Sequence, residues 1–68
     1  MTSLNDALLD AHAQGDGPGL VGLYQQAAEQ AAPDAAAFFL TQAWIFALEA
    51  GDVRAARIEQ ALRAQGRA

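Results

Sequence analysis

Three short interruptions constrain this chain more than any other feature. They are Gly15-Asp16-Gly17-Pro18-Gly19, Pro33-Asp34 and Gly51-Asp52, and they hold both prolines. Proline cannot continue a helix through its interior, and glycine supplies the left-handed conformation that stops one. The segments between them repeat apolar residues every three or four positions, the period of a helix. None shows the two-residue alternation of β-branched residues that marks a strand. The chain has 68 residues, which is one small domain. The expected fold is therefore all-α, one domain over 1–68 with four helices. They should form two antiparallel helix–turn–helix hairpins, over 4–33 and 34–66.

The first helix is expected from Leu4 to Gln14. Ser3 is placed to cap it, with Asp6 three residues later in a variant of the capping box. Leu4, Ala7, Leu8 and Ala11 make its apolar face, and Gly15 is a suitable stop. The second helix should begin near Pro18, a residue suited to the first turn. Leu20, Leu23, Tyr24, Ala27 and Ala31 share one face, with Gln25, Gln26, Glu29 and Gln30 opposite. Gly22 is a candidate for close approach of the first two helices. Pro33 ends this segment, because the residue before a proline is biased away from helix.

The third helix carries Asp34 at its positive end. Phe39, Ala43, Phe46, Ala47 and Ala50 centre a broad apolar face, which Leu40, Trp44 and Leu48 widen. Such an arc suits contact with more than one neighbour. The fourth helix follows Asp52, a good capping residue. Ala55, Ile58, Ala61 and Leu62 should face inward, Arg57, Glu59, Gln60 and Arg63 outward, and Gly66 should end it.

A shift of thirty-six positions lays Gly15-Asp16 on Gly51-Asp52 and Leu4 on Leu40. It also lays Ala7 on Ala43 and Ala11 on Ala47. A period near this length marks arrays of helical hairpins. On these residues the chain resembles a tetratricopeptide repeat used twice. Tyr24 and Ala27 stand at that family's aromatic and small positions, and Pro33 lies one place beyond its closing proline. Leu8 and Trp44 depart from it, standing where the family has a small residue, and Gln60 stands where it has an aromatic. The resemblance implies two stacked hairpins and binding of proteins through a groove lined by the first helix of each unit. It implies no catalytic residues.

Charge and composition exclude several functions. Four arginines, all after position 53, face eight acidic residues, for a formal net charge of −4. That balance argues against nucleic acid, whose phosphates need a basic surface, and against an anionic membrane surface. There is no cysteine, so thiolate chemistry and cysteine-built metal sites are out. The first residues show no positively charged, then apolar, leader, and a cytoplasmic location is expected.

Motifs that could carry chemistry lack their context. Gly17-Pro18-Gly19-Leu20-Val21-Gly22 reads G-x-G-x-x-G, but no strand precedes it as dinucleotide binding requires. Asp10 to Val21 resembles a calcium loop only in Gly15; His12 and Gln14 replace oxygen-rich ligands, and Val21 the closing glutamate. His12 is the only histidine, and a closed metal site needs three or four ligands. Ser3 is accounted for as a cap, and Asp6 and Asp10 as solvated carboxylates. No catalytic, metal or cofactor site is expected, and the protein is read as no enzyme.

The third helix carries the remaining candidate residues. Phe38 and Ile45 lie seven apart beside Thr41, Gln42 and Glu49, off the main apolar face. They are either core or exposed. Aromatic residues among polar ones are characteristic of interfaces. Phe38, Gln42, Ile45 and Glu49, then Trp44, are the expected protein-contact residues. A domain of this size is marginal alone, so self-association as a homodimer is expected, with a separate protein partner as the other possibility. A structural homodimer without further ligand, or a small-molecule pocket between the hairpins, are the alternatives.

Overall fold

The computed structural model describes residues 3–66. It contains α1 (Leu4–Gln14), α2 (Gly17–Gln30), α3 (Pro33–Ala50) and α4 (Arg54–Ala64). The helices begin and end where the punctuation placed them. Ser3 Oγ accepts a hydrogen bond from the Asp6 backbone N–H at 3.1 Å, capping α1. Pro33 opens α3 at a position where no backbone donor is required, and no side chain caps that helix.

The two Gly-Asp turns are copies of one another. Gly15 has φ 65°, ψ 31° and Gly51 φ 64°, ψ 32°. In each, the aspartate N–H reaches back across the turn, Asp16 to the Ala11 carbonyl at 2.9 Å and Asp52 to the Ala47 carbonyl at 2.8 Å. This is the Schellman closure, which satisfies carbonyls that the helix end leaves open. Each aspartate side chain then accepts from a backbone N–H at the start of the next helix, but only Asp16 is its N-cap. Asp16 Oδ1 accepts from the Gly19 N–H at 3.0 Å, a cap the sequence reading did not assign. Asp52, expected to cap α4, stands one residue before its N-cap Val53; its Oδ1 accepts from the Arg54 N–H at 2.9 Å across a two-residue turn.

Helices that follow one another in the chain pack side by side. The α2–α3 contact is the most extensive, with α1 against α2 and α4 against α3. Their backbones make no other close approach among the described residues. The result is a slab of 34 × 27 × 13 Å, no thicker than two helices packed at the usual spacing of about 8–10 Å.

The core is Val21, Ala43, Ala47, Ile58 and Leu62, with Tyr24, Leu40, Trp44, Phe46 and Ala55 packed on it. Ala43 and Ala47 are fully buried; their small side chains let α3 lie close to its neighbours. Three sequence expectations need correcting here. Val21, not assigned to the apolar face of α2, has no exposure at all. With Ala28 it forms a second buried side of a helix covered by both α1 and α3. Leu48, expected to widen the core face of α3, is 57% exposed because no helix lies over that side. Gly22 does not serve the α1–α2 contact. A Cβ there would meet the Arg54 guanidinium of α4 at 3.4 Å.

Candidate protein-interaction surface

Neighbouring helices cover one side of α3 and leave the other open. Phe38 is 59% exposed, Ile45 40% and Leu48 57%. Thr41 lies between the first two and is half-buried. Its hydroxyl donates to the Ala37 carbonyl at 2.9 Å, so its methyl group is left as the contact-forming part. Positions 38, 41, 45 and 48 are spaced three, four and three apart. That spacing keeps residues on one line of a helix surface. At 1.5 Å per residue the stripe is about 15 Å long.

The residues singled out from sequence divide around this stripe. Phe38 and Ile45 are on it and Leu48 joins them. Gln42 and Glu49 border it, the first half-buried and the second exposed. Trp44 turns the other way and packs on the core, with its indole N–H buried and without a hydrogen-bond partner. Leu48 was missed because it lies between the core arc and the polar arc of α3, where periodicity assigns either side.

A second surface lies where α1 and α3 stand apart over α2. Leu4 and Leu8 of α1 and Phe39 of α3 flank a depression of about 320 Å³ floored by Ala27 and Ala31, with Asn5 and Gln30 its polar groups. Near it the rings of Tyr24 and Phe46 stack, with centroids 5.8 Å apart. His12 meets Phe46 edge-on at 5.5 Å and its Nε2 lies 2.9 Å from the Tyr24 hydroxyl. His12 is exposed and held by this aromatic contact.

The strongest electrostatic feature serves the turn between α3 and α4. The Arg54 guanidinium pairs with the Asp52 carboxylate at 2.5 Å and donates to the Pro18 carbonyl at 2.9 Å. Hydrogen bonds from the Arg54 side chain, then from its backbone, lower the Asp52 pKa to about 2. The same pairing raises that of Arg54. Arg54 thus ties the second turn to the start of α2, and nothing in the periodicity pointed to it.

The G-x-G-x-x-G segment forms the first turns of α2, and the Asp16 carboxylate occupies its cap. A Cβ on Gly19 would collide with that carboxylate, so the glycine is explained by the cap. Among the described residues no three histidine, cysteine, aspartate or glutamate side chains cluster as a metal site would require. Among the described residues no helix is long and apolar enough to cross a membrane. No family model, curated protein or solved structure matches the chain.

Proposed function

We propose that this protein is a non-catalytic protein-interaction module, tetratricopeptide-like in its pair of hairpins, that acts through the open side of α3. The observation that carries the reading is the line of Phe38, Ile45 and Leu48, three large apolar side chains exposed on one helix. A scattered exposed apolar residue is ordinary; several in one line form a patch suited to burial by a partner. The matching backbone of the two Gly-Asp turns supports the repeat character.

Self-association is the simplest form of this activity. The three-four-three spacing matches itself when two copies meet, so α3 of one copy can lie along α3 of another. Light scattering across a wide concentration range tests it. The wild-type chain should gain mass toward a dimer as concentration rises. Ile45→Arg and Phe38→Asp should remain monomeric with unchanged helical content. Variants that keep both the wild-type mass and its stability would remove α3 from the interface.

A further inference from the structure

We infer that the preferred occupant of the α3 stripe is an amphipathic helix with basic residues flanking its apolar seam, and that it binds more tightly than a second copy of this chain. The inference rests on the reading of α3 as an interaction surface and names the chemistry of its partner. Two observations carry it.

The first is geometric. Phe38, Thr41, Ile45 and Leu48 repeat the a and d positions of a two-helix seam. Helices that pack with a crossing angle near 20° present that spacing to one another, whereas a strand or loop would not match it over three turns. The partner element is therefore a helix of roughly three turns or more, with apolar residues at the same intervals.

The second is charge. No lysine or arginine occurs before Arg54, while seven of the eight acidic residues do. Every formal charge on α1, α2 and α3 is thus negative, and exposed Glu49 borders the stripe. Of the three described arginines, Arg54 is held in its turn by Asp52, Arg63 pairs with Glu59 at 2.9 Å within α4, and Arg57 is exposed on α4 rather than on the helix that carries the stripe. A second copy presenting the same helix brings another acidic flank, and like charges facing each other oppose association. Arginine or lysine at the flanking positions of a partner helix reverses that sign while keeping the apolar contact.

The test uses three fluorescein-labelled synthetic peptides of 21 residues, a length chosen to give about six turns. One has leucine at the seam positions and arginine at the flanks. The second replaces those arginines with glutamate. The third has the arginine peptide's composition in scrambled order. Anisotropy titrations should show the arginine peptide binding at least tenfold more tightly than either control, with affinity falling as salt rises. Ile45→Gln, at an exposed position, should weaken it at least tenfold with no change in helical content. Glu49→Arg should narrow the preference for arginine over glutamate flanks. In light scattering the arginine peptide should lower the mass of any dimer present. Equal binding of arginine and glutamate peptides, equal binding of the scrambled peptide, or indifference to Ile45→Gln would each overturn the inference. A dimer that Ile45→Arg dissociates but the arginine peptide leaves intact would also overturn it, while leaving the interaction reading standing.

Discussion

Helices α2 and α4 each follow a Gly-Asp pair whose glycine has nearly the same backbone angles, yet they bury different residues. Ile58 and Leu62 anchor α4 in the core. Their counterparts thirty-six positions earlier are Gly22 and Gln26, and Gln26 is exposed. In α2 the buried residues include Leu20, Val21 and Ala27. Their later counterparts are Ala56, Arg57 and Arg63, all exposed. The difference follows from position in the stack. α2 is covered by α1 on one side and α3 on the other, whereas the backbone of α4 lies close to α3 alone, with Arg54 reaching across to α2. A repeated turn places the next helix; the neighbours available to that helix decide which of its residues are buried.

The largest difference between the two helices is expected at position 62. Leu62→Ala should cost about 2–5 kcal/mol, the range for emptying a buried leucine site. Gln26→Ala, at the matching position of α2, should stay within about 0.5 kcal/mol, as exposed substitutions do. Urea midpoints of the two variants measure both, and comparable losses would contradict the assignment of different faces.

The turns should behave alike where the helices do not. Gly15→Ala and Gly51→Ala each force a side chain into left-handed backbone, at about 1–2 kcal/mol. Open space surrounds both glycines, so the two penalties should agree closely in parallel denaturation curves. A much larger effect at one turn would show that their equivalence ends at the backbone.

A smaller, pH-dependent difference should distinguish the two turn aspartates. The Asp52 pKa is lowered to about 2 from a usual value of 3.8. A carboxylate with a depressed folded-state pKa stabilises above its unfolded value and loses that contribution as pH falls through the folded one. The wild-type advantage over Asp52→Asn should therefore be constant above roughly pH 5 and shrink between about pH 4 and 2. Thermal midpoints across that range test it; a gap that persists unchanged at pH 2 would exclude the ionised pair as its source. Arg54→Met should reduce the same pH dependence, because it removes the group that holds the carboxylate charged.

How far the molecule could be read in advance varies by region. Ser3, Gly15, Pro33 and Gly51 mark helix ends through local stereochemistry, and those boundaries were legible. Ile58 and Leu62 were also legible, because α4 has one apolar face, which it turns to the core. Val21 and Leu48 were not. α2 has two buried sides, which a search for a single face misses, and α3 has a wide apolar arc that its neighbours only partly cover. Within the candidate surface, Phe38 and Ile45 stood out by their place among polar residues, while Trp44 was drawn into the core by packing.

By itself the order of residues determined four helices, their ends and the duplicated turn, since each depends on interactions within a few positions along the chain. Tertiary structure alone decided that Val21 is buried and Leu48 exposed, that Arg54 joins its turn to Pro18, and that one line of α3 remains open. Burial and long-range pairing depend on which surfaces meet, and that is settled only when helices distant in sequence are packed together.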